Sequence, residues 1–63
     1  MQARPSYSVC LTFTVGSRKR VNELTGRLIT EGYDVIYEPG FYGMEHYSSS
    51  VFDPEGNVIE LVA

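Results

Sequence analysis

The chain has 63 residues, eight acids against five Lys and Arg, a formal net charge of −3 and one cysteine. That length bounds it to one small domain, which buries only about 60% of the surface its unfolded form exposes. With Cys10 alone no intrachain disulfide can form, so a metal or oligomerisation is the expected support. Three of the five basic residues sit together at Arg18, Lys19 and Arg20. They make no basic stripe of the kind nucleic acid needs. No apolar run approaches the ~20 residues of a membrane span. A lone thiol fits a reducing, cytoplasmic setting, and the N-terminal "MQARPSY" lacks an apolar signal core.

Residues 1–5 read as a flexible N-terminus. Residues 7–15, "YSVCLTFTV", then alternate. Tyr7, Val9, Leu11, Phe13 and Val15 fall on one face, and Ser8, Cys10, Thr12 and Thr14 on the other, the period-2 pattern of a strand. Gly16-Ser17 ends it, and Ser17 suits an N-cap. From 18 to 31 the apolar positions Val21, Leu24, Leu28 and Ile29 recur at helical spacing. Gly32 follows as a C-terminal stop, while Gly26 is a mild cost inside the helix. Arg18, Lys19 and Arg20 open this helix as solvated charges that slightly oppose its dipole.

"YDVIYE", 33–38, reads as a second strand ended by Pro39-Gly40. "FYGMEHY", 41–47, has aromatics without a period and reads as a loop. "SSSVF", 48–52, is a third strand leading into the turn Asp53-Pro54-Glu55-Gly56-Asn57, and "VIELV", 58–62, is the fourth. The last two strands form a hairpin. The order is β-α-β-β-β, an α+β domain without internal repeats.

The helix must cover the apolar face of this sheet. Leu11, Phe13 and Val15 are its expected partners, with Ile59 and Leu61 beside them. Glu60 then faces away from the helix, as does Cys10. A four-residue hairpin loop sets Ser49 opposite Glu60. One face so carries Ser8, Cys10, Thr12, Thr14, Ser49 and Glu60, groups that ligate, accept or donate. The plain alternative is a polar face left to water, common in antiparallel sheets, with Cys10 a small inert residue.

The run "FDPEGNVIEL", after a β-α-β-β segment, resembles the closing motif of the vicinal oxygen chelate superfamily, which includes glyoxalase I, bleomycin and fosfomycin resistance proteins and extradiol dioxygenases. "LTFTVGSRKRVNELTGRLITEGYDVIYEP" resembles that family's second, C-terminal module. The likeness runs without gaps from about Cys10 to Val62. It implies a single βαβββ module over residues 1–63, with a curled, mostly antiparallel sheet and one helix on its convex face, half of a glyoxalase-like domain.

The resemblance also implies a role for Glu60. In metal-dependent members the acid of the "IEL" run ligates the metal and can carry a proton, and a cation explains a carboxylate in a buried strand. The family's other ligand of this module is a His at the start of the first strand, where this chain has Cys10. A thiolate binds zinc well, so zinc is the divalent metal favoured if Cys10 ligates; a lost site with no metal is the other reading. The family's cavity takes two modules, so the resemblance implies a homodimer that gathers Cys10 and Glu60 of both copies.

His46 reads as a rim residue touching substrate, as a replacement ligand, or as an exposed loop histidine. Phe41, Tyr42 and Tyr47 line a pocket for an apolar ligand or cap the core. Three functions compete. One is a glyoxalase-like lyase, whose cation polarises vicinal oxygens of a small substrate and stabilises an enediolate. The second is a metal-free, drug-sequestering binding protein, and the third a truncated module without activity of its own. The expected partners are a small molecule and a second copy, with no nucleic acid and no membrane.

Overall fold

Capping at both ends delimits the single helix of the computed structural model, which describes residues 9–43 and 46–63. The expected tail at residues 1–5, together with Tyr7, Ser8, Met44 and Glu45, lies outside the described residues. Helix α1 spans Arg18–Thr30. Ser17 precedes it in extended conformation, and its hydroxyl accepts the Arg20 N–H at 3.1 Å, satisfying a donor the helix cannot. At the other end Gly32 has φ +102°. The Gly32 N–H bonds the Ile29 carbonyl and the Tyr33 N–H bonds the Leu28 carbonyl, each at 3.0 Å. These two bonds are the Schellman arrangement, which needs a left-handed residue where Gly32 stands.

Around the helix lie β1 (Cys10–Thr14), β2 (Asp34–Tyr42), β3 (His46–Phe52) and β4 (Val58–Val62). They form one open sheet in the order β1-β4-β3-β2. β4 pairs with β1 in parallel and with β3 antiparallel, and β3 pairs antiparallel with β2. The architecture is the expected βαβββ module, α+β, with a mostly antiparallel sheet and the helix on one face. No helix among the described residues is long and apolar enough to cross a membrane.

The turn between β3 and β4 is held by its own side chains. Asp53 Oδ1 accepts the N–H groups of Glu55 at 2.9 Å and Asn57 at 2.8 Å, and Asp53 Oδ2 accepts the Asn57 side-chain amide at 3.1 Å. Asn57 Oδ1 then accepts the Val9 N–H at 3.2 Å, which ties the turn to the start of β1. Burial of the Asp53 carboxyl acts to raise its pKa. The hydrogen bonds from Asn57, Glu55 and Gly56 outweigh that and hold it below the usual carboxylate value.

Four expectations are corrected. First, β2 does not stop at Pro39-Gly40 but runs on to Tyr42, and β3 begins at His46 rather than Ser48, so most of 41–47 is strand. β2 is an edge strand with two register shifts, one between Val35 and Tyr37 and one between Tyr37 and Gly40. Pro39 falls inside the second, where its missing N–H costs no ladder bond.

Second, the hairpin loop holds five residues, because Phe52 pairs with Val58. Ser49 therefore stands opposite Leu61, and Ser50 opposite Glu60. One residue of slip moves a side chain to the other face of a strand, and Ser49 lies under the helix.

Third, α1 packs across β2, β3 and β4 and does not reach β1. Leu11 and Phe13 are thus not covered by it and remain 47% and 50% exposed. An apolar groove of about 340 Å³, lined by Phe13, Leu24, Leu28, Ile59 and Leu61 among others, runs between helix and edge strand.

Fourth, the buried stripe of the helix is Val21 and Thr25, with Leu24 and Leu28 half-buried and Ile29 exposed. Thr25 donates its hydroxyl to the Val21 carbonyl and lies 2.6 Å from the Ser49 hydroxyl. Having one proton each, Thr25 serves the carbonyl and Ser49 donates to Thr25. Val21, Val51 and Leu61 are the buried apolar side chains among the described residues. The core is centred on β3 and β4, beneath the helix.

Candidate functional site

Alternation along the strands sorts the polar residues onto the sheet face opposite the helix, the open face. In β4, Leu61 is buried on the helix side while Val58, Glu60 and Val62 point the other way. β4 lies inside the sheet, so Glu60 has a neighbour on each side: Thr12 of β1 and Ser50 of β3. The Thr12 hydroxyl donates to Glu60 Oε1 at 3.1 Å. The carboxylate is half-buried in the sheet, and this hydroxyl stands beside it where a purely apolar strand would leave it unsatisfied.

Two aromatic rings complete the site. Tyr37 and Tyr42 are five positions apart, an odd number, and a regular strand would place them on opposite faces. The register shift between Tyr37 and Gly40 adds one residue to β2 and brings both to the open face. Their ring centroids lie 5.2 Å apart with the planes tilted by 54°. The Tyr42 ring folds back over Gly40, which has no side chain to obstruct it, and its hydroxyl donates to the Glu38 carbonyl. Tyr37, Tyr42, Ser48, Ser50 and Glu60 line a pocket of about 320 Å³.

The residues singled out from the sequence divide between the two faces. Glu60 and Tyr42 meet in the open-face pocket. Cys10 shares that face, because it alternates with Thr12, but it pairs with Val58. It thus stands two positions, about 7 Å of strand, from the level of Glu60. Its thiol is free and exposed. His46 pairs with Tyr42 at the outer end of β3 and is exposed.

Phe41, Tyr47 and Ser49 lie on the helix side instead. Phe41 and Tyr47 pack edge to face at 5.1 Å, the Tyr47 hydroxyl donates to Asn22 Oδ1 at 2.7 Å, and the Arg18 guanidinium lies 5.8 Å from the Phe41 ring centroid. These aromatics fasten the N-terminal half of α1 to the sheet. Ser49 serves the Thr25 pair. Tyr37, Ser48 and Ser50 were missed; a five-residue loop would have brought in Ser50 and Ser48, and Pro39-Gly40, read as a strand end, is the local mark of the bulge that turns Tyr37.

The fit of these residues to a metal can be judged from the donors present. Among the described residues, no three His, Cys, Asp or Glu side chains come together. One chain offers the Glu60 carboxylate, already bonded by Thr12, and the Cys10 sulfur two positions away. By itself that set does not complete the four-coordinate shell usual for zinc.

No family model matches the chain, and no curated protein matches it by sequence. Solved structures match its fold closely. A glyoxalase/bleomycin resistance protein/dioxygenase family enzyme from Burkholderia phytofirmans PsJN is similar at a TM-score of 0.80 and 24% identity, over 94% of this chain and 48% of that one. A hypothetical protein from S. aureus is similar at 0.81 and 19% identity, over 90% and 50%. A protein from Legionella pneumophila described as an NAD-dependent benzaldehyde dehydrogenase is similar at 0.71 and 20% identity, over 81% and 44%. The chain therefore has the fold of half a glyoxalase-like domain, and it spans about half the length of each of these proteins. Such unlike descriptions on one fold leave function to be argued from the site.

Proposed function

We propose that this chain is a small-molecule-binding module of the glyoxalase/bleomycin resistance type, whose open face forms half of a cavity completed by a second copy. The observation that carries this reading is the pocket of about 320 Å³ in which two tyrosine rings, two serines and Glu60 converge. A concave site with apolar walls and a few placed polar groups is the usual form of a ligand site. One further feature supports a second copy: among the described residues β1 leaves an unpaired edge flanked by exposed Leu11 and Phe13, a form that favours pairing.

Native mass spectrometry of the purified protein tests the pairing. A dimer is the expected species, and a monomer under conditions that preserve weak complexes overturns it.

A second reading, a metal-dependent lyase, is favoured by one observation: Cys10 and Glu60 share the open face. Two copies would bring two of each to one cavity, four protein ligands in all, enough for zinc. In that reading Glu60 would also carry the substrate proton. The same experiment after zinc loading and desalting tests it. Retention of stoichiometric zinc, lost in Cys10→Ser and in Glu60→Gln, is the expected result; a dimer that emerges metal-free sets the lyase aside and leaves the binding protein.

A further inference from the structure

The charge and chemistry of the open face specify what kind of molecule it takes. Among the described residues every Lys and Arg belongs to α1: Arg18, Lys19, Arg20 and Arg27; His46 pairs with Tyr42 at the outer end of β3 and does not line the pocket. The helix lies on the opposite side of the sheet, so none of them faces the pocket. The pocket's own charge is Glu60, half-buried and negative. An anionic ligand would meet a carboxylate and no basic partner in this pocket, and a like charge in a partly desolvated site is strongly disfavoured.

The aromatic walls point the same way. Tyr37 and Tyr42 set two tilted ring faces 5.2 Å apart beside that carboxylate. Ring faces carry the negative end of the aromatic quadrupole and attract cations. Thr12 occupies Glu60 Oε1, leaving Oε2 to meet a positive group. Ser48 and Ser50 add hydroxyls at the floor. A metal ion would need further protein donors that the described residues do not gather there, whereas an organic cation needs only the carboxylate and the rings.

We propose that the Tyr37–Tyr42–Glu60 pocket binds an organic cation, an aromatic or alkyl ammonium compound whose charged head sits between the tyrosine faces and the Glu60 carboxylate. This deepens the small-molecule reading and rests on it.

The test is a titration of the full chain, followed by NMR and by tyrosine fluorescence, with three ligands of similar size: benzyltrimethylammonium, benzyl alcohol and phenylacetate. The cation is expected to bind about tenfold tighter than the alcohol, with phenylacetate weakest, and to shift the resonances of Tyr37, Tyr42 and Ser50. Glu60→Gln, nearly isosteric, is expected to weaken the cation about tenfold and leave the alcohol unchanged. Tyr42→Phe, which keeps the ring face, is expected to retain the cation, and Tyr42→Leu to lose it. Equal binding of cation and alcohol, or preference for phenylacetate, overturns the cation proposal while leaving a small-molecule site. Absence of binding by all three, in a chain whose spectrum is folded, overturns the site reading itself.

Discussion

The hydroxyls of Thr25 and Ser49 meet at 2.6 Å between helix and sheet, both fully buried. Ser49 passes its proton to Thr25, and Thr25 passes its own to the Val21 carbonyl. Removing one member should therefore not equal removing the other. Ser49→Ala leaves Thr25 still bonded and should cost about 1 kcal/mol. Thr25→Val strands the Ser49 hydroxyl in the core and should cost more, about 1–3 kcal/mol. The double variant, apolar at both positions, should recover most of that loss. Urea unfolding of the four proteins measures the cycle, and strict additivity would count against the shared bond.

The Asp53 carboxyl is held below its usual pKa by the turn that it closes. A carboxyl lowered in the folded state contributes stability that is complete above its unfolded value, near 4. That contribution is lost as the pH falls through the lower, folded value. Acid titration of stability should thus show a loss beginning below about pH 4. Asp53→Asn should reduce that part of the acid dependence while lowering stability at neutral pH. A variant with an unaltered acid limb would remove Asp53 from the account.

Two glycines of α1 and its end should respond oppositely to alanine. Gly32 has φ +102°, and a Cβ there meets no atom within 4 Å, so the cost of Gly32→Ala is conformational strain of about 1 kcal/mol or more. Gly26 lies inside the helix with equally open space around it. Gly26→Ala should stabilise by about 0.4–1 kcal/mol. Thermal or urea unfolding of the pair reads the sign directly.

Phe13 is half exposed on the free edge strand. If that edge is where the second copy docks, Phe13→Lys should shift the protein from dimer to monomer in native mass spectrometry and sedimentation. Its circular dichroism should stay unchanged, because α1 packs on β2, β3 and β4 rather than on β1. A dimer of undiminished stability would place the interface elsewhere.

Much of this fold can be read locally. The strand Val58–Val62 has the bounds the sequence predicts, and the helix its start at Arg18 behind Ser17. The reason is that alternation, a capping serine, a left-handed glycine and an Asp-Pro-Glu-Gly-Asn turn act within a few residues. What eluded sequence was register. A five-residue loop in place of four moves Ser49 under the helix and Ser50 beside Glu60, and a bulge near Pro39 turns Tyr37 toward Tyr42. Each is one residue of slip; the first has no mark in composition, and the second is marked only by Pro39-Gly40, which reads equally as a strand end. The face assigned to Glu60 and Cys10 survived because β1 and β4 are regular strands. Ser49 changed faces, and Phe41 and Tyr47, in a stretch read as a loop, were given none, because their partners are set across the chain.

Each β1 residue lies 48 positions from its partner in β4, while β2, β3 and β4 follow one another as neighbouring hairpins. The three later strands can zip together early; the first must wait for a large loop to close, and such long-range pairing is slow. The long-range pairing thus predicts that β1 joins the sheet last. Until it does, the β1-facing edge of β4 stays open, and on the proposed two-copy reading β1 of a second molecule would take that place, so that strand exchange would couple folding to pairing.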